Sequence, residues 1–129
     1  MLRNSLIGIL ALLVWACTPG KEASKTSAVL THGAQDSAEY EITIIDPGFD
    51  QWYLLNYTPS DDLSNEMYRA KNLIAAGNWD NYYRTGRYPA MINSPINYRP
   101  DADYGIEVNR KLYWYFKYTE STTPVRLFR

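Results

Sequence analysis

Aromatic residues are spread so unevenly along this chain that they decide where it can fold. All twelve Tyr, all three Phe and three of the four Trp lie between Tyr40 and Phe128, while no Phe, Trp or Tyr falls between Ala16 and Glu39. Residues 39–129 carry 18 such rings against 17 Ile, Leu, Val and Met, so roughly half of any core must be aromatic. Each ring buries a large area, about 150 to 250 Å². A domain of some 91 residues without a disulfide can reach stability that way. The whole chain is 129 residues, room for one small domain. Its 13 Lys plus Arg against 14 Asp plus Glu leave a net charge of -1. A nucleic-acid surface needs concentrated cations to displace counterions from phosphates, and that balance excludes one. The seven Gly are scattered and form no phosphate-cradling loop, so no nucleotide partner is expected either.

The amino terminus reads as an address. Arg3 supplies positive charge and Leu6 to Ala16 is an unbroken apolar run of eleven residues. A membrane-spanning helix needs ~20 residues, so residues 1–16 have the architecture of a cleavable signal peptide. The junction Val14-Trp15-Ala16-Cys17 places a branched apolar residue three before a Cys and a small residue immediately before it. It resembles the lipobox of bacterial lipoproteins. That resemblance implies cleavage after Ala16, diacylation of the Cys17 thiol and acylation of its new amino group. Several chains make a durable anchor, because each buried CH₂ contributes ~0.8 kcal/mol. The cut leaves 113 residues with 12 positive and 14 negative side chains, and gives the lone Cys a role no disulfide could. Thr18 rather than Asp follows the Cys, which by analogy with the sorting rule of enteric bacteria implies an outer-membrane anchor facing the periplasm.

From Thr18 to Ala38 only Val29-Leu30 forms an aliphatic pair. Such a stretch buries too little surface to offset its ordering entropy. Residues 17–38 therefore read as the lipidated Cys and a flexible tether, with an expected reach of roughly 25 Å. His32 falls here as a solvated linker residue with no second His or Cys to share a metal. Asp36-Ser37-Ala38 resembles the acceptor motif for O-glycosylation in Bacteroidetes, which would place a glycan on Ser37.

Residues 39–129 read as an aromatic-rich α+β domain. Tyr40, Ile42 and Ile44 alternate with Glu41 and Thr43, and Asp46-Pro47-Gly48 stops the run, predicting a strand over 39–46. Phe49, Trp52 and Tyr53 have helical spacing before Pro59. Ser60-Asp61-Asp62 supply N-cap candidates for a longer helix with Leu63, Met67, Ala70 and Ile74 as its stripe, carried on to Gly86 unless Gly77 breaks it. The prolines between Pro89 and Pro100 predict extended chain. Residues 106–118 fit both periods. Asp101 and Asp103 at the start and Lys117 near the end favour a helix capped by Asp103. Pro124 to Phe128 reads as a short strand that could pair with the first.

This order of elements resembles the small uncharacterised lipoproteins of Bacteroidetes grouped as a domain of unknown function. The carriers are Tyr40-Glu41-Ile42 followed by Asp46-Pro47-Gly48-Phe49-Asp50-x-Trp52, and later Asp101-x-Asp103-Tyr104-Gly105-Ile106-Glu107-x-Asn109-x-Lys111-Leu112-Tyr113-x-Tyr115-Phe116. The resemblance implies an envelope lipoprotein and no particular activity.

Chemistry-bearing patterns are few. An acylated Cys17 is no nucleophile, and a Ser-His pair would have to recruit His32 from the tether. No His or Cys cluster suits zinc, and no cofactor is expected. The pairs Asp46/Asp50 and Asp101/Asp103 could offer oxygens to a cation. An EF-hand loop begun at Asp101 fails, with Gly105 at its fifth position and Leu112 at its twelfth. Two carboxylates could also act as acid and base on a glycan, a function that needs them ~5 to 10 Å apart. Against that enzyme stands a binding domain: Trp79, Tyr82 and Tyr83 share a helix face among Asn78, Asn81, Arg84 and Arg87, a pattern suited to an envelope protein or glycan partner if the rings are exposed. The alternative is that they pack internally.

Overall fold

The computed structural model describes residues 27–32 and 39–129, so the expected signal peptide, the expected cut after Ala16, Cys17 and Ser37 lie outside the described residues. Two antiparallel strands, β1 (Ala28–His32) and β2 (Tyr40–Ile44), precede three helices, α1 (Phe49–Asn56), α2 (Asn65–Thr85) and α3 (Ile106–Thr122), with a 3-10 turn at Pro59–Asp61. The α+β class holds, with three helices and two strands among the described residues.

The partner of β2 is not the expected one. Ala28 pairs with Ile44, Leu30 with Ile42 and His32 with Tyr40. This puts Ala28, Leu30, Ile42 and Ile44 on the face turned to the core, and Val29, Thr31, Glu41 and Thr43 on the exposed face. Residues 27–32, read above as tether, thus belong to the fold, with Ala28 only 1% exposed. Alone the segment has too little apolar surface; paired, it spreads a ribbon over a core already built by helices. His32 correspondingly stacks on Tyr40 at a ring separation of 4.2 Å.

The carboxyl-terminal segment forms no strand. Val125 and Leu127 alternate inward and are buried, but side chains serve its backbone. The Glu120 carboxylate accepts from the N–H groups of Leu127 and Phe128. Asn78 donates to the carbonyls of Leu127 and Arg129, and Tyr82 to that of Arg126. With those groups satisfied, no sheet is needed.

α3 packs against α1, α2 and β2. Its buried residues Val108, Asn109, Leu112, Tyr115, Phe116 and Thr119 follow the helical period. Its N-cap is Gly105, not Asp103, and makes no side-chain cap bond. α2 is capped by Ser64, whose hydroxyl accepts from the N–H of Met67, rather than by Ser60, Asp61 or Asp62. It runs unbroken through Gly77 and ends on Gly86 at φ 68°, a left-handed position that suits glycine. Its inward face is Tyr68, Asn72, Ala75, Ala76 and Trp79. The expected stripe lies elsewhere, with Met67 and Ile74 about half exposed at 49% and 53%.

Residues 86–105 contain neither helix nor strand, as the prolines predict. The loop is pinned to α2 by two neighbouring side chains. The Trp79 indole N–H donates to the carbonyl of Ser94, and the Asp80 carboxylate accepts from the N–H groups of Ile96 and Asn97. Ile92 and Ile96 are thereby held in the core.

Candidate functional site

The three rings proposed from the sequence as a binding face differ in their exposure. Trp79 is fully buried, in ring contact with Tyr115 and Phe116. Tyr82 is partly buried, meets Tyr88 edge-on and holds the carboxyl-terminal segment through its hydroxyl. Tyr83 is 42% exposed. The three share a helix face, but the core claims the first and the chain terminus covers much of the second. Internal packing is the reading that holds for Trp79.

In each carboxylate pair one member is engaged by a hydrogen-bond donor and the other is exposed. Asp46 Oδ1 accepts from the Gly48 N–H and the Tyr118 hydroxyl, both at 3.0 Å. A Cβ on Gly48 would stand 2.7 Å from that hydroxyl, which accounts for glycine within the first motif. Asp50 is exposed in the first turn of α1. Asp101 is paired with Arg99 at 2.7 Å, which lowers its pKa, while Asp103 is exposed. No group of three or more His, Cys, Asp or Glu among the described residues could hold a metal ion. Among those residues, no helix is long and apolar enough to cross a membrane.

Two polar clusters escaped the sequence reading. Asp62 receives two bonds from the Arg110 guanidinium, both 2.9 Å, and one from the Tyr68 hydroxyl. Those bonds hold its carboxyl down to about 2, the Arg110 contribution being the larger. Burial and the Asp62 bond push the Tyr68 phenol up in turn. In the core, Asn72 donates to the Asn109 carbonyl, Asn109 donates to Asn65, and the Tyr98 hydroxyl donates back to Asn109. Burial raises the Tyr98 phenol to about 12. Asp62 and Arg110 lie 48 residues apart, and no local spacing could have announced that pair.

A cleft lined by two indoles lies between α1 and α3. Trp52 and Trp114 face each other with centroids 6.3 Å apart and planes inclined by 48°. Tyr118 meets Trp52 edge-on at 5.5 Å, and Tyr57 meets Trp114 edge-on at 5.4 Å. Burial, aided by the Asp46 bond, raises the Tyr118 phenol to about 12. The cleft encloses about 390 Å³, and its polar rim includes Asn56, Lys117, Glu120 and Arg126. Volume and lining both suit a small-molecule or side-chain ligand, for which sites of roughly 300 to 1,000 Å³ are usual. The sequence signal for it was the run of rings Tyr113 to Phe116: Tyr115 and Phe116 turn inward, leaving Trp114 to cover α1.

No curated protein and no solved structure matches the chain. A family model matches residues 5–127, a span that includes both motifs, the cleft and the core, and the chain therefore belongs to the Family of unknown function (DUF6146).

Proposed function

We propose that this protein is a lipid-anchored lipoprotein of the bacterial envelope, acylated at Cys17 in the outer membrane and facing the periplasm, whose domain binds another envelope component without transforming it. The anchor is supported by the apolar run Leu6 to Ala16 ending at Cys17. Nine residues lie between Cys17 and Ser27, the first of the described residues. Even fully extended they reach only about 35 Å, so the domain works close to the membrane surface. A Bacteroidetes source and a glycan on Ser37 belong to the same reading.

The observation that carries the binding role is the cleft. Trp52 and Trp114 are only partly buried, and they line the cleft together with Lys117 and Arg126. Asp46 and Asp101, by contrast, are engaged in hydrogen bonds that fix a turn and a loop. A binding surface of rings and polar groups fits this arrangement better than a pair of catalytic carboxylates.

Two arms test the proposal. Cys17→Ser should leave a precursor that is neither cut nor retained by membranes; a variant still processed and membrane-bound would refute the anchor. Full-length protein in detergent should capture a partner from envelope extract, and Trp52→Ala should lose it. Capture unchanged by Trp52→Ala would refute the cleft as the binding face.

A further inference from the structure

Resting on the binding role proposed for the cleft, we infer that its ligand is an anionic sugar, with the pyranose ring packed against Trp52 and Trp114 and its carboxylate or phosphate held by Lys117 and Arg126. Residues 39–129 carry ten Lys and Arg against twelve Asp and Glu, an acidic domain on balance. The cleft reverses that balance, with Lys117 and Arg126 against Glu120 alone. Glu120 is itself committed, since its Oε2 accepts the N–H groups of Leu127 and Phe128.

Both cations are held in place without being neutralised. Among the described residues the ion pairs are Arg99 with Asp101 and Arg110 with Asp62, which leaves Lys117 and Arg126 without a carboxylate partner. Arg126 Nη1 donates to the carbonyls of Glu120 and Val125, both at 3.1 Å, so its guanidinium is positioned while Nη2 and Nε stay available. Lys117 Nζ sits 5.6 Å from the centre of the Phe128 ring. A positioned guanidinium and an ammonium lining one cleft make a receptor for an oxyanion.

The remaining groups fit the neutral part of a sugar. Asn56 Nδ2 donates to the Trp52 carbonyl at 2.8 Å, leaving Oδ1 to accept from a hydroxyl. The two indoles offer apolar surface for the C–H faces of a pyranose, and the polar groups around them fix its orientation. A hydrophobic peptide would leave both cations unmatched. Inorganic phosphate would leave the indoles unused.

The test uses full-length protein in detergent and follows tryptophan fluorescence. Four probes are titrated: a galacturonic acid oligomer, the matched neutral galactose oligomer, glucose 6-phosphate and inorganic phosphate. Saturable binding of the uronate or the sugar phosphate, at least tenfold tighter than the neutral oligomer and inorganic phosphate, supports the inference; whichever of the two binds identifies the anionic group. Lys117→Gln should weaken that binding about tenfold and Trp52→Ala should abolish it, each with the circular dichroism spectrum retained. The inference is overturned if neither acidic sugar binds, if the neutral oligomer or inorganic phosphate binds as well, or if Lys117→Gln has no effect. Envelope capture that Trp52→Ala abolishes, without acidic-sugar binding, overturns the anionic sugar and leaves the cleft as a binding face. Loss of both results removes both.

Discussion

The two sides of α3 use the same kind of residue in opposite ways. Towards α2 it presents Tyr115 and Phe116, which meet Trp79 in a fully buried cluster. Towards α1 it presents Trp114, partly buried against Trp52, Tyr53 and Tyr57 at the wall of an open cleft. Consecutive positions on one helix point about 100° apart, so the run Tyr113 to Phe116 was bound to serve more than one neighbour. Aromatic content therefore says little by itself about binding. What separates a structural ring from a presented one is whether a second layer closes over it. The loop of residues 86–105 does so for Trp79, through its bond to Ser94; Trp52 and Trp114 instead line the cleft.

The largest expected effect follows from that contrast. Trp79→Ala removes a fully buried indole and its hydrogen bond, and should cost about 3 to 5 kcal/mol. Trp52→Ala removes a partly covered ring and should cost roughly 1 to 2 kcal/mol. Urea denaturation of both variants against the parent reads the difference directly. Equal losses would break the comparison and place Trp52 in the core.

Two polar contacts of the domain should fail at opposite ends of the pH scale. Asp62, bonded to Arg110 and Tyr68 beside α2 and α3, has its folded pKa lowered to about 2. A carboxyl is ordinarily near 3.9. Its contribution to stability is therefore complete above about pH 4 and is lost as pH falls towards 2. Tyr118, beside Trp52, has its folded pKa raised to about 12 by burial and the Asp46 bond. Its contribution is present below the ordinary phenol value of about 10 and is lost as pH rises through 12. Thermal unfolding as a function of pH should show Asp62→Asn flattening the acid slope between pH 4 and 2 and leaving the alkaline slope unchanged. Tyr118→Phe should do the reverse. A variant that shifts both slopes alike would mean that the two contacts are not separate electrostatic units.

Much of this fold was legible in the sequence, and the misses share one cause. β2 and α3 announce themselves because their own apolar spacing coincides with what they bury. In α2 two spacings compete: Met67, Ala70 and Ile74 are the more apolar set, yet Tyr68, Asn72, Ala75, Ala76 and Trp79 face the core. The inward set combines small residues, an asparagine that bonds α3 and one large indole, a choice that depends on α3 and not on hydropathy. β1 was hidden for the same reason, since Ala28 and Leu30 gain burial only beside Ile44 and Ile42. The carboxyl-terminal alternation of Val125 and Leu127 suits a strand by its spacing, yet it forms none, because Glu120, Asn78 and Tyr82 supply its hydrogen bonds from helices. Half of the cleft could be suspected from the ring run at Tyr113. Its other wall, Trp52, lies 62 positions away, and only the packing of α1 on α3 joins them.

The smallest expected effect concerns the outer face of α2, where Gly77 stands exposed in mid-helix. A Cβ added there meets nothing within 4 Å. Glycine in a helix interior costs backbone entropy, so Gly77→Ala should stabilise the domain by roughly 0.5 to 1 kcal/mol. For a domain of this size that corresponds to a rise of about 2 to 8 °C in Tm. The same substitution on an inward face would overfill the contact between helices. Calorimetry therefore sharpens the inner-versus-outer assignment of α2, the one helix whose sides the sequence misassigned. A gain confirms that the face bearing Met67 and Ile74 is open in the folded chain; a loss would mean that something packs against Gly77, and that the apolar stripe beside it is covered after all.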